Sequence, residues 1–251
     1  MEHTNLLHFK ITLGRYSEFI EHILSLAAEK KSTTVYVANV HMFIEAYRSA
    51  AFSRIISEGD IVTPDGMPLT WALKLVHGII QDRVAGMDIL PELLGGLGAR
   101  KLPVYIYGGS PELISRTGDY LAANYPRLPV AGLYSPPFRP LTGEEETRII
   151  SDINSSGAAV VFVVLGCPKQ ENWIASMKGK INAVMIGIGG ALPVLIGVQK
   201  RAPKWMQKNG LEWAYRFYQE PQRLWKRYFS TNSLFLYLIT KEKLRRGRRR
   251  R

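Results

Sequence analysis

Short apolar, β-branched runs alternate with amphipathic stretches along most of this chain, a pattern of strands separated by helices. Thr34 to Ala38 (TVYVA) reads as a first strand, and the spacing from His41 to Ser57 predicts a helix after it. Ile61 to Thr63 is a brief strand that runs into Thr-Pro-Asp-Gly, a turn signal. Helical patterns follow over Pro68 to Val76 and Asp88 to Leu97, with Asp88 placed to cap a helix that begins near Ile89. Val104 to Tyr107 (VYIY) ends in Gly108-Gly109-Ser110-Pro111, where Ser110 suits the N-cap and Pro111 the first position of a helix reaching Asn124. Val130 to Leu133 is the next strand, and Thr142 with Glu145 has the spacing of a capping box for a helix to Asn154. Ala158 to Leu165 reads as a buried strand, Lys169 to Met177 as a helix and Ala183 to Ile188 as a last strand. Strands joined by helices pair in parallel through right-handed crossovers, so the predicted class is α/β: a Rossmann-like layered fold with a mainly parallel sheet. The alternation stops near Lys200, which divides the chain into an α/β domain (1–199) and a basic, aromatic-rich helical appendage (200–251).

Charge sharpens that division. Lys200 to Arg251 holds 16 Lys and Arg against 3 acids, whereas the first 199 residues hold 17 basic and 18 acidic groups. The cations are interleaved with Trp205, Trp213, Tyr215, Phe217, Tyr218, Trp225, Tyr228, Phe229, Phe235 and Tyr237. Such a segment is built to meet something negative: a membrane surface, a nucleic acid or a phosphorylated substrate. Trp and Tyr beside Lys and Arg describe a membrane interface, where each cation near anionic lipid contributes on the order of 1 kcal/mol. The same cations and rings would also serve nucleic-acid phosphates and bases, but no recognised nucleic-acid motif accompanies them. With 46% hydrophobic and 22% charged residues the composition is that of a globular protein. A single cysteine, Cys167, excludes an internal disulfide and fits a reducing compartment. The N-terminus lacks a signal-peptide pattern, and no apolar run reaches the roughly 18 to 20 residues of a spanning helix. A protein of the cytoplasm or of its membrane surface is expected.

The candidate chemistry lies at strand ends, because open parallel sheets bind ligands outside the carboxyl ends of their strands. Glycine loops at Gly108-Gly109, Gly166 and Gly187-Ile188-Gly189-Gly190 either bring backbone N–H groups to a phosphate or serve as turns that need positive φ. Neither a complete G-x-G-x-x-G nor a P-loop is present, which argues against nicotinamide-dependent oxidoreductases and P-loop enzymes. Asp65, in its Pro-Asp-Gly turn, is either a general base or an Asx-turn residue. Glu171 at a helix start is either functional or a partner of the helix dipole. The five histidines form no i, i+4 pair and have no nearby cysteines, so zinc is not expected. His41 suits the crevice or a structural role, and Cys167 before a proline suits packing. Arg216, Arg223 and Arg227 are seven and four residues apart, with Glu220-Pro221 placed to break the helix between them. They offer either bidentate forks for a diphosphate or a solvated basic face.

Longer motifs add a resemblance. TPDGMPLTWALK (Thr63 to Lys74), RVAGMDILPELL (Arg83 to Leu94), VYIYGGSPE (Val104 to Glu112), VVLGCPKQENWI (Val163 to Ile174), MIGIGGA (Met185 to Ala191) and RAPKWMQKNGLEWAYRFYQEPQRLWKRY (Arg201 to Tyr228) follow one another as in the WecG/TagA/CpsF glycosyltransferases, which this chain resembles from Thr34 to Tyr228. The resemblance implies an enzyme that transfers a sugar, with inversion and without a metal or other cofactor, from a UDP-sugar to a polyprenyl-diphosphate-linked saccharide at the cytoplasmic face of the membrane. By that resemblance Asp65 matches the general base and Gln170 the glutamine near the donor sugar. Asn39, Gly108, Gly109, Gly166, Lys169, Gly187, Gly189 and Gly190 match donor-side positions, and Arg216, Arg223 and Arg227 fall to the acceptor diphosphate. The sequence departs from the family pattern at Val37, commonly Thr, and at Leu192-Pro193, commonly Phe-Asp. The expected partners are the UDP-sugar, the lipid-linked acceptor and an anionic membrane surface, with no nucleic acid; homo-oligomer formation is left open.

Overall fold

The chain opens with an antiparallel hairpin absent from the predicted pattern, β1 (His3–Leu6) and β2 (Phe9–Thr12), turned at Leu7 with φ 57°. The structure, a computed structural model, describes residues 1–249, without the side chains of Lys208, Arg223, Lys226, Arg227, Tyr228 and residues 247–249. Helix α1 (Tyr16–Ala28) leads to β3 (Thr33–Ala38). The single helix expected from His41 to Ser57 is two, α2 (Val40–Arg48) and α3 (Ala50–Ser57). Ser49 separates them: its backbone is extended and its Oγ accepts the Phe52 N–H, so one residue ends the first helix and caps the second. Then come β4 (Ile61–Pro64), α4 (Met67–His77) and α5 (Gly86–Ala99). The next pairs are β5 (Val104–Gly108) with α6 (Pro111–Asn124), β6 (Val130–Tyr134) with α7 (Gly143–Ser155), and β7 (Val160–Val164) with α8 (Lys169–Met177). Strand β8 (Val184–Gly187) and the short α9 (Ala191–Leu195) complete the layered part. Ser110 caps α6, and Thr142 with Glu145 forms the expected capping box of α7.

The main sheet is six-stranded and parallel, in the order β4-β3-β8-β7-β5-β6. Strands β3, β4, β5, β7 and β8 are buried throughout, which is why they read as continuous apolar runs rather than as alternation. The period of two sorts their side chains into two cores. Tyr36, Tyr107, Val161, Val163 and Met185 face the layer of α2, α3, α4, α7 and α8. Val35, Ile106, Val160, Phe162 and Ile186 face α1, α5 and α6. The hairpin protects the β4 edge, where the Thr12 hydroxyl accepts the Val62 N–H at 2.9 Å.

Beyond Lys200 the chain forms α10 (Lys204–Lys208), α11 (Glu212–Gln219) and α12 (Pro221–Arg249), with the break at Glu220-Pro221 that the sequence predicts. Phe235, Leu238 and Ile239 of α12 are buried in the first core, where Phe235 meets Phe43 edge-on at 5.1 Å. Its end is pinned to α4: Glu242 is buried beneath Arg245 and Arg246, and Arg246 Nη1 lies 3.3 Å from His77 Nδ1. Part of the basic charge read from the sequence is therefore neutralised within the fold. Among the described residues no helix is long and apolar enough to cross a membrane.

Candidate active site

Asn39, Asp65, Gly109, Gly166 and Gly189 follow the carboxyl ends of β3, β4, β5, β7 and β8, so parallel pairing brings all five turns to one edge of the sheet. At the β3–β4 end this edge opens into a cavity of about 490 Å³, roofed by α11 and α12. Asn39, Asp65, Arg83, Glu212 and Arg216 line its polar end. Asn39 caps α2, its Oδ1 accepting the Met42 N–H at 3.2 Å. Asp65 is held by its backbone, whose N–H donates to Ala38 O at 2.6 Å and to Thr63 O at 3.1 Å. This ties the turn to the neighbouring strand and leaves the carboxyl to the cavity. Burial pushes that carboxyl up from its ordinary 3.8 to about 7. Arg83 and Arg216 pull it down, while Glu212 and Asp88 push it further up. A carboxyl that changes charge near neutrality can accept a proton in one step and release it in the next.

The charges around Asp65 form a closed ring. Arg83 bonds Asp88 at 2.5 Å and Glu212 by its other nitrogen; Arg201 bonds Asp88 and reaches Glu212 at 3.5 Å. Each guanidinium thus holds both carboxylates, and two members of the ring come from the segment beyond Lys200. Asp88 is not the cap that the sequence predicts. The cap is Ala85, α5 starts at Gly86, and two charge-assisted bonds to guanidinium groups outcompete one to a backbone N–H. Arg216 is outside the ring. Its Nη2 stands so close over Gly190 that a Cβ there would lie 2.8 Å away, so Arg216 spans the β8 glycine turn and the Asp65 cavity. Among the described residues no carboxylate forms an ion pair with it.

The structure gathers the other expected residues elsewhere. Gln170 is buried and does not line the cavity. Its Oε1 accepts the Gly166 N–H at 3.2 Å and its Nε2 donates to Glu171 at 2.8 Å. The side chain lies across Gly187, where a Cβ would meet Nε2 at 2.8 Å, and beside Gly189. Gln170 therefore braces the β7 and β8 turns against each other. Glu171 stands in the first turn of α8, as a dipole partner would, but it is fully buried, and burial pushes its carboxyl up. Gly108 has φ 110° and sits where a Cβ would lie 2.6 Å from Val164 O, so strand packing alone requires glycine there. Gly108→Ala is expected to cost about 1–3 kcal/mol or more in urea denaturation, since neither backbone can yield. Lys169 is exposed at the start of α8. His41 lines the cavity. The side chains of Arg223 and Arg227 lie outside the described residues. Arg83, Arg201 and Glu212 stand in motifs quoted above, but nothing in a single sequence pairs them with one another.

The sequence matches the family model described as "Glycosyl transferase WecG/TagA/CpsF family" over residues 4–249. A Bacillus subtilis protein named N-acetylglucosaminyldiphosphoundecaprenol N-acetyl-beta-D-mannosaminyltransferase is 29% identical over 241 residues, 95% of this chain and 91% of that protein. A protein of the same name from Bacillus spizizenii is 30% identical over 216 residues, 85% of this chain and 82% of the relative. With nearly its whole length matched, this chain belongs to the WecG/TagA/CpsF family of glycosyltransferases.

Proposed function

We propose that this chain transfers N-acetylmannosamine, with inversion, from its UDP-sugar to a hydroxyl of N-acetylglucosamine carried on a polyprenyl diphosphate. The observation that carries the reading is Asp65, a carboxyl tuned to about 7 at the floor of a cavity that also holds Arg216, which among the described residues forms no ion pair with a carboxylate. The names of the two Bacillus relatives support the choice of sugar and acceptor. In the reaction, ionised Asp65 takes the proton of the attacking hydroxyl. The new bond forms from that oxygen to the sugar C1 as the C1–phosphate oxygen bond breaks, and the electron pair leaves with UDP. Arg216, set between the β8 turn and the cavity, meets the acceptor's diphosphate, while backbone N–H groups at the glycine turns meet the departing UDP, so the reading needs no metal ion. Gln170 keeps the β7 and β8 turns in register for the donor. Residues 200–251 act as the appendage that closes the cavity, working at the cytoplasmic face of the membrane.

The test is incubation with UDP-N-acetylmannosamine and an N-acetylglucosaminyl-diphospho-lipid, with EDTA present. UDP release matched by disaccharide-lipid is expected. Donor hydrolysis without acceptor product, or transfer only from another UDP-sugar in a panel, overturns the reading.

A further inference from the structure

The cavity does not end at its charged pole. From Asp65 it continues between α4 and α12, and there its lining changes character. On α4 the lining residues Met67, Trp71 and Leu75 recur every fourth position; on α12 Asn232, Leu236 and Thr240 do the same, each flanked by a second cavity residue one position away. Both helices thus turn one stripe toward the same space, and eight residues of stripe correspond to about 12 Å of helix. The floor is buried and apolar, with Phe235 and Ile239 each 4% exposed. The rim is open and, Thr240 apart, apolar: Trp71 is 51% exposed, Leu75 46% and Leu236 65%. Water-facing rims on soluble proteins are ordinarily polar, and a contiguous apolar trough leading out of a charged pocket marks a ligand surface.

We propose that this trough binds the first isoprene units of the acceptor's polyprenyl chain. The inference rests on the lipid-diphosphate acceptor of the preceding section and assigns that lipid a seat on the protein. The occupant follows from continuity. A molecule whose saccharide reaches Asp65 and whose diphosphate meets Arg216 must continue along the cavity with whatever follows the phosphates, and the walls there are mostly aromatic and aliphatic, with Thr231, Asn232 and Thr240 of α12 as the polar exceptions. A sugar or a nucleotide would leave its hydroxyls unpaired against Trp71, Leu75 and Leu236, whereas an isoprenoid buries apolar surface on both sides. The protein would then read lipid as well as saccharide.

The experiment uses the full chain and farnesyl diphosphate as a soluble probe, with inorganic diphosphate as control and tryptophan fluorescence as readout, since Trp71 and Trp213 line the cavity. Farnesyl diphosphate is expected to bind at least about ten-fold tighter than inorganic diphosphate, the scale of burying one aliphatic side chain. The rim variant Leu75→Glu with Leu236→Glu changes only exposed positions, and is expected to abolish that preference while leaving inorganic diphosphate binding within about two-fold. Equal affinity for the two diphosphates, or an undiminished preference in the variant, overturns the proposal. So does a variant that loses only adhesion to anionic phospholipid vesicles, or only self-association in light scattering, because the trough would then face bilayer or a second copy. Farnesyl diphosphate binding at the rim, without glycosyl transfer to any diphospholipid saccharide, supports the seat and overturns the acceptor reading instead.

Discussion

Asp65→Asn is expected to lower kcat by about 10² to 10⁴ while leaving the dissociation constant of the UDP-sugar within about two-fold. The amide keeps the shape and fills the same turn, so the loss falls on proton transfer alone. In the unsubstituted enzyme kcat/KM should fall below pH about 7 as the carboxyl protonates, and the residual activity of the variant should lack that limb. A pH–rate profile checks both statements; unchanged turnover removes Asp65 from the mechanism. The same substitution should stabilise the protein, in a pH window with a definite sign. The folded-state value of about 7 lies above the ordinary 3.8, so between these limits the folded chain holds a proton that the unfolded chain has lost. The stability of the unsubstituted protein therefore declines as pH rises through that window, by up to about 4 kcal/mol once the carboxylate is fully ionised. Asparagine has no such loss. Its advantage in Tm should be small at pH 4 and largest above pH 7, and a constant difference across that range would show that Asp65 is not held away from its ionised form.

How much of this was legible from the sequence depends on the range over which each feature is specified. Strands β7 and β8 announce themselves as apolar runs because both of their faces are covered, and α6 and α7 because Ser110 and Thr142 cap them from within three residues. Asp65 is found at once, since a turn sequence after a short strand places a carboxyl at the sheet edge. The Ser49 break is local but silent: a serine inside an amphipathic pattern is tolerated in a helix, and only the direction of the following helix makes it a cap. The part of the site that tunes Asp65 is not local at all. Arg83 meets Glu212 across 129 positions and Arg201 meets Asp88 across 113. Gln170 shows the converse: its motif points to the donor sugar, yet the amide is bonded to Gly166 and Glu171 and packed on Gly187, which no motif spacing reveals. The strongly basic end, read as a surface feature, contains a partly internal one. Arg201 belongs to the ring beside Asp65, and Arg245 and Arg246 are bonded to the buried Glu242.

Arg83→Met should therefore harm both folding and proton transfer, and the two effects can be read separately. Among the charges around Asp65, Arg83 is the strongest that favours the carboxylate, so removing it raises the Asp65 pKa still further. The acid limb of kcat/KM should move upward in pH, activity at pH 7 should drop by about ten-fold or more, and raising the pH should recover part of it. Methionine fills much of the guanidinium's volume but leaves Asp88 and Glu212 facing each other with only Arg201 between them. Removing one partner of a buried pair costs about 3–5 kcal/mol; these side chains keep some contact with water, so about 2–3 kcal/mol is expected in urea denaturation. Arg83→Lys separates the roles. It keeps the positive charge, so the acid limb should stay near its original pH, but one ammonium cannot fork to two carboxylates, so part of the stability loss should remain. An acid limb that does not move in Arg83→Met would mean that the ring only fastens the segment beyond Lys200 to the body. A limb that moves in methionine but not in lysine shows that the Arg83 charge, held in place by its pairs with Asp88 and Glu212, sets the charge state of Asp65.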